Sequence, residues 1–370
     1  MDRRTFLVGA ATSLACSRPA ATGFPGNLFV ANQEGRSIAV VDLTKFRVSR
    51  EIGIEGNPTA IISHWKRPAV YVLTPATGTV HEIDPASFSV RRKVRVAPSA
   101  TSMRLSADGE SLWILSREAR ALVQTPVDGF QTGARIKLPG APEDFDLVPE
   151  IAVVSLPAEG SLAIASLRRG KIEQMVATGP DPGTVRFHAQ GRKALCGNRG
   201  NRTLTIYDVL RGRIVAHLPV AVTPENFCYK ASNDGVMYIT GAGMDALVVV
   251  YPYPSEVHET LLMGRSPGAM AVSGAPEYLF VANTESGNVT VMDVETSKVR
   301  LSVAVGSEPR QIVVTPDDRF AITLNSRSGD LAVIDIAAFE SSRRARTAPT
   351  PLLTMIRVGA KPVSAVVRRT

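Results

Sequence analysis

The chain has 370 residues, a formal net charge of +8, 44% hydrophobic and 21% charged residues, and 29 Gly and 25 Pro spread along its length. That hydrophobic content is ample for a core, and the periodic scatter of Gly and Pro excludes a low-complexity chain. The positive charge is partly local, as in Arg343-Arg344-Ala345-Arg346 and Arg368-Arg369. No aromatic-interleaved basic helix or nucleic-acid motif accompanies it, so nucleic acid is not an expected partner.

The amino terminus comes first. Residues 1–16 run from a charged start (Asp2, Arg3, Arg4) through the short apolar stretch Phe6-Leu7-Val8 to small residues, which is the layout of an export signal and too short to span a bilayer. Arg3-Arg4-Thr5-Phe6-Leu7 resembles the bacterial twin-arginine signal, and Leu14-Ala15-Cys16 resembles the end of a lipobox, which makes Cys16 a lipidation candidate. Ordinary cleavage nearby is the alternative. The expected organisation is a signal over 1–16, a linker over 17–26 and one domain over 27–370. The expected location is the periplasm or the outer side of the inner membrane, with membrane contact only through a lipid at Cys16. The remaining cysteines, Cys196 and Cys228, fall in predicted strands and read as two buried thiols, with a disulfide between them the alternative in an oxidising compartment.

From residue 27 onward the sequence repeats. A turn ending in proline opens each unit at Pro58, Pro98, Pro142, Pro182, Pro224, Pro267, Pro309 and Pro362, at spacings of 40, 44, 40, 42, 43, 42 and 53 residues. The clearest openings are Gly264-Arg265-Ser266-Pro267, Gly306-Ser307-Glu308-Pro309 and Gly359-Ala360-Lys361-Pro362. Within a unit, apolar runs of four to six residues are separated by Gly, Pro, Asn and Asp, as in Tyr278–Ala282 and Val289–Asp293, which predicts a four-stranded antiparallel meander. The third strand tends to end in Asp (Asp42, Asp84, Asp208, Asp293, Asp335), a recurrence expected of Asx turns. The long last interval holds a Ser/Arg/Pro-rich loop insertion at 340–351.

A repeat of this period means stacked or radial units. The ends decide between them. The mature chain begins with a second-strand sequence, Asn27–Asn32, and finishes with an orphan first strand, Pro362–Val367, so joining the two closes a ring and removes a free sheet edge. The expected fold is all-β: a closed β-propeller of eight blades.

The segment Phe280-Val281-Ala282-Asn283-Thr284-Glu285-Ser286-Gly287-Asn288-Val289-Thr290-Val291-Met292-Asp293 resembles the YVTN-type β-propeller repeat, and Leu28–Asp42 and Ile322–Asp335 repeat the pattern. Members of that family are often seven-bladed, so the resemblance leaves seven as the alternative count. Similar propellers include lactonases and quinone- or haem-linked oxidoreductases with a site at the channel mouth.

Catalytic signatures are scarce. Gly264-Arg265-Ser266-Pro267-Gly268 matches a nucleophile-elbow string but lies in an opening turn rather than before a helix. His64, His81, His188, His217 and His258 fall at unrelated registers, and the sequence shows no haem-attachment, phosphate-loop or dinucleotide motif, so neither a metal nor a cofactor is expected. The meander places the turn between second and third strands at the same end of the ring as the connection between blades, and that face is where a site belongs. It is expected to carry Asn32, Arg36, Arg117, Arg120, Asn198, Arg199, Arg202, Asn283, Asn325 and Arg327. Glu143, Asp181, Glu225, Glu308 and Arg310 are expected by the channel mouth. Its arginines suit an anionic group held by guanidinium forks. The expectation is a monomeric, non-catalytic binding or interaction scaffold for a protein or envelope glycan. The alternative is a propeller enzyme, either a lactonase-like hydrolase or a quinone- or haem-linked oxidoreductase. A third reading is a docking subunit for another exported enzyme.

Overall fold

The structure is a computed structural model that describes residues 23–230, 232, 235–341 and 350–369. The expected signal, the Cys16 lipidation candidate and most of the 340–351 insertion lie outside the described residues. The described ends of that insertion are a short helix, Ala338–Ser341, and a strand that opens at Leu352. Phe24, within the segment read as a linker, is buried against the core, and the first strand opens at Gly26.

Among the described residues there are eight four-stranded sheets. Seven follow chain order. The eighth combines the first three strands, Gly26–Asn32, Ser37–Asp42 and Arg47–Gly53, with the last, Pro362–Arg369. This last strand runs antiparallel to the first from Gly26↔Arg369 to Asn32↔Pro362 and supplies the innermost strand of blade 1. The innermost strands of neighbouring blades touch all the way round, including blade 8 with blade 1 and blade 1 with blade 2, so the fold is a closed eight-bladed propeller.

Burial follows radius. Second strands such as Val70–Thr74 and Tyr278–Asn283 are buried throughout, because neighbouring blades cover both of their faces. Outermost strands such as Arg213–Pro219 alternate exposed and half-buried residues, as a half-covered edge strand should. The core is not one mass but eight apolar clusters, one in each gap between blades. Leu28, Val30 and Val41 of blade 1 meet Phe320, Ile322 and Leu331 of blade 8, and Tyr71 and Leu73 of blade 2 meet Ile114 and Val123 of blade 3. Innermost strands have one open edge, and side chains of adjacent blades fill it. Asp146 Oδ2 accepts the Phe187 N–H at 2.8 Å, and Gln311 Oε1 accepts the Ala365 N–H at 2.7 Å.

The Gly-x-x-Pro opening has a packing cause. Asn32, Asn198, Asn283 and Asn325 end the second strands of blades 1, 5, 7 and 8 and are fully buried. The Asn198 amide donates to Thr203 Oγ1 at 2.9 Å and Thr205 Oγ1 at 2.7 Å; Asn283 does the same to Asn288 Oδ1 and Thr290 Oγ1. Each amide lies against the glycine that opens the same blade's turn: a Cβ on Gly306 would stand 2.6 Å from Asn325 Nδ2, and one on Gly264 2.6 Å from Asn283 Nδ2. In the other four blades the strand ends in Thr74, Ser116, Leu156 or Thr240, and the turn position is Glu55, Arg95, Pro139 or Ala221. Glycine appears only where asparagine needs the room. The aspartates that close third strands also act structurally: Asp42, Asp84, Asp208, Asp293 and Asp335 each accept a main-chain N–H two or three residues on.

This interlock makes a double-mutant prediction. Gly306→Ala should cost about 1–3 kcal/mol through overpacking. In an Asn325→Ala background the same change should cost little, giving a coupling of about 1 kcal/mol or more in denaturant midpoints. Additive costs would mean that the asparagine does not set the glycine.

Candidate functional site

One face, here the top, gathers the turns between second and third strands and the connections between blades; the opposite, bottom, face gathers the other turns. All the candidate residues lie on or beside the top face, but they do different work. Asn32, Asn198, Asn283 and Asn325 do not project from the rim: their side chains are fully buried and their Nδ2 groups donate to strand-ending partners.

Arg117, Glu143, Asp181 and Arg199 come together across blades 3 to 5. Arg199 forks Asp181 through Nε at 3.0 Å and Nη2 at 2.8 Å and reaches Glu143 Oε1 at 3.1 Å. Arg117 pairs with the other Glu143 oxygen and donates to Pro142 O at 3.3 Å. The hydrogen bond from Arg199 holds the Asp181 carboxyl below its ordinary value of 3.8. The group is a charge-balanced staple.

Arg310, Arg327 and Glu308 form a second group over blade 8: Arg310 Nε donates to Glu308 Oε1 at 2.9 Å and Arg327 Nε lies 3.5 Å from Oε2. The hydrogen bond from Arg310 lowers the Glu308 carboxyl's affinity for its proton. They line a cleft of about 720 Å³ between blades 7 and 8 together with Arg265, Ser266 and Glu285. A second cleft of about 500 Å³ shares Ser266, Thr284 and Arg310 and continues inward past Glu225, Gly268 and Val363, residues of blades 6, 7 and 1 at the channel mouth. Glu225 and Arg310 thus reach the same cleft; Arg117 and Arg199 do not line it.

Arg36 and Arg202, with Arg120, occupy a third kind of position. Each immediately precedes the third strand of its blade, in blades 1, 5 and 3, with φ of 49°, 52° and 44°. The same register holds Gly78, Gly160, Gly287 and Gly329 in blades 2, 4, 7 and 8, at φ of 57°, 53°, 64° and 71°. Left-handed backbone suits glycine and costs an arginine roughly 1 kcal/mol. The three arginines are exposed, and none forms an ion pair among the described residues.

Sequence reasoning missed the charges on the inner strands. Arg186 pairs with Asp144, while Arg104 lies 3.6 Å from Asp144 and 3.9 Å from Asp146. These four staple blades 3, 4 and 5 at the channel wall, and the signal was charge inside otherwise apolar first strands such as Ser102-Met103-Arg104-Leu105.

Ser266 has φ of 56°, but Asp181, Glu308 and Lys361 share that conformation before their own prolines, and its N–H donates to Asp245 Oδ1 at 2.7 Å. The histidines lie in blades 2, 5 and 6: His64 bridges Gly109 O and the Lys66 and Arg67 N–H groups, His81 contacts Thr74, His217 contacts Thr205, and His188 and His258 stack on Tyr229 and Tyr251. Cys196 and Cys228 are both free thiols, and burial pushes Cys196 far up and Cys228 up to about 12, which leaves both inert. Among the described residues no three His, Cys, Asp or Glu side chains come together to hold a metal ion.

No family model and no curated protein matches the chain. Solved structures do. Dihydro-heme d1 dehydrogenase NirN in complex with DHE is 17% identical with a TM-score of 0.74, covering 95% of this chain and 77% of its own. Apo AztD from Citrobacter koseri is 15% identical with a TM-score of 0.71, covering 92% and 98%. Kuenenia stuttgartiensis hydrazine synthase is 16% identical with a TM-score of 0.58, covering 89% and 99%. At these identities the likeness is one of fold.

The Asp181–Arg199 staple makes a pH prediction. Because the folded carboxyl is depressed, its contribution is present above pH 3.8 and lost as the pH falls through the folded value. Arg199→Ala should lower stability at neutral pH by about 1 kcal/mol or less, the pair being solvent-screened. The gap from wild type in thermal melts should close in acid. A gap that persists unchanged at low pH would assign Arg199 a packing role instead.

Proposed function

We propose that the chain is an exported propeller whose top face binds an anionic partner, carboxylate- or phosphate-bearing, through its strained arginines and the cleft at the channel mouth. The observation that carries this reading is the trio Arg36, Arg120 and Arg202, set at a turn position that glycine fills in four other blades. Stability alone favours glycine there. Three exposed guanidinium groups without carboxylate partners are what an anion-binding surface needs, and backbone strain of this kind collects where it serves recognition. Export rests on the twin-arginine-like start of the chain, and the YVTN-type repeat pattern agrees with a scaffold of this kind.

A second reading, a propeller enzyme or cofactor holder, is favoured by the likeness to NirN, a dihydro-heme d1 dehydrogenase. A haem macrocycle carries carboxylates, so it would be an anionic ligand for the same arginines. No residue on the top face is assigned a catalytic role.

The triple variant Arg36→Gly/Arg120→Gly/Arg202→Gly tests the proposal. It should melt at the wild-type temperature or a few degrees higher, since each change relieves roughly 1 kcal/mol of strain against glycine's extra chain entropy. It should also elute from a sulfated-glycan column at lower salt than wild type, each lost contact reducing the salt dependence. Equal retention would remove the arginines from recognition. Adding haem to wild type separates the two readings: a stoichiometric Soret shift lost in the variant favours the second, and an unchanged spectrum favours the first.

A further inference from the structure

The bottom face carries three exposed apolar turn tips, where the top-face turns carry one, Met244. Trp65 in the turn between first and second strands of blade 2 is 60% exposed, and Leu210 and Tyr253, in the turns between third and fourth strands of blades 5 and 6, are 77% and 50% exposed. Soluble surfaces tolerate single exposed apolar residues, but here three turn tips on one face each carry a cation beside them. Lys66 Nζ lies 4.3 Å from the Trp65 ring, Arg211 follows Leu210, and Lys193 Nζ lies 5.6 Å from the Tyr253 ring. The Trp65 ring is stiffened by stacking on buried His64, whose ring bonds Gly109 O at 2.8 Å. Exposed Arg168 and Arg169 in the blade 4 turn and Arg369 at the end of the last strand add charge to this face. Its acids include Glu110 and Asp128, both paired with Arg67, Asp208 and Glu173, which lie 3.8 Å from Arg211 and 3.4 Å from Arg169, and Glu277, Glu295, Asp317 and Asp318 in the turns of blades 7 and 8, so the cationic side of the face is that of blades 2, 4 and 5.

The chain also enters the propeller from this side. Phe24 and Gly26 stand at the bottom end of blade 1, with the Arg369 guanidinium 5.7 Å from the Phe24 ring. The lipidation candidate Cys16 is eight residues before Phe24, a span of at most roughly 28 Å when extended. A lipid there would keep the bottom face within reach of the bilayer while the top face looks away.

We propose that the bottom face seats on an anionic membrane surface, with Trp65, Leu210 and Tyr253 entering the headgroup layer and the neighbouring Lys and Arg side chains meeting lipid phosphates. Trp and Tyr favour that layer, and each nearby cation is drawn to an anionic leaflet. The orientation rests on the export reading. Cell fractionation tests export separately, so vesicle binding in vitro and export can fail independently.

The test is flotation of the full chain carrying Cys16→Ser with phosphatidylglycerol vesicles and with neutral phosphatidylcholine vesicles. Because the apolar residues of the signal are present in every sample, the readout is the difference between variants. Trp65→Ala/Leu210→Ala/Tyr253→Ala and Arg168→Glu/Arg169→Glu/Arg211→Glu should each weaken binding to the anionic vesicles about tenfold or more, equivalent to about 1.4 kcal/mol. Both change exposed turn tips, and unchanged melting temperatures verify that they fold. The outer-strand variant Arg50→Gln, at an exposed residue of the strand Arg47–Gly53 on neither face, should bind vesicles like its parent, and the top-face variant Arg36→Gly/Arg120→Gly/Arg202→Gly reads whether binding runs through the other face. Equal binding by parent and bottom-face variants, or loss only in the top-face variant, would overturn the proposal. So would a loss of capture of an acidic protein by the bottom-face variants with vesicle binding unchanged.

Discussion

The structure depends on the gap between blades 8 and 1. Seven of the eight interblade clusters can form from chain-adjacent units, but Leu28, Val30 and Val41 meet Phe320, Leu324 and Leu331 only if the first and last parts of the chain are neighbours. The strand Pro362–Arg369 makes them so by completing blade 1 from the inside, and it brings Ala365 into the same cluster. Without it, blade 1 would present an unpaired edge and a half-covered apolar face, both costly to leave in water. Closure across the full length of the chain is slow to find because of its loop entropy, yet once made it leaves every blade with two neighbours.

A closed ring fixes how its two faces can differ. Strands and interblade clusters are constrained by packing, so variation is confined to turns, and the turns in turn are constrained by φ. Left-handed positions recur before third strands and before several opening prolines. At most of the former the chain uses glycine, which is what the backbone prefers. Arg36, Arg120 and Arg202 depart from that preference in blades 1, 3 and 5 without gaining an ion pair among the described residues, whereas Arg117 and Arg199, on unstrained backbone, are tied down by Glu143 and Asp181. The contrast separates arginines that hold blades together from arginines that face outward.

The architecture was legible because its causes are local and repeated. Proline spacing, Asx turns and the mismatch between a second-strand start and a first-strand finish each leave a mark in one dimension, and together they gave eight blades and the closing strand. The candidate site was only partly legible. Arg199 and Arg36 look alike in sequence, both lying in turns between second and third strands, but one is forked on Asp181 and the other is not, a distinction set by which carboxylate the next blade supplies. Asn283 and its equivalents stood on the expected rim because the turn begins with them; their side chains instead fold inward against a glycine some nineteen residues upstream, at Gly264. Arg104, Asp144, Asp146 and Arg186 are not legible in sequence, because charge in a short inner strand is indistinguishable from a solvated edge until the neighbouring blade is in place.

The two faces therefore answer different questions with the same scaffold. The top is polar: its clefts are lined by Arg265, Glu285, Glu308, Arg310 and Arg327, mixed charges suited to reversible polar contacts. The bottom places Trp65, Leu210 and Tyr253 on turn tips, where burial against another phase would remove apolar area from water without disturbing a strand. A propeller that met its partner edge-on would show such residues on its outermost strands in one sector. Here the exposed apolar residues of those strands, Val48, Val90, Met175, Val215, Leu262, Val299, Leu353 and Met355, are instead spread over every blade but blade 3, and blade 8 alone carries two. On the reading proposed above, recognition runs along the ring axis, with a polar ligand at one end of the channel and a membrane surface at the other.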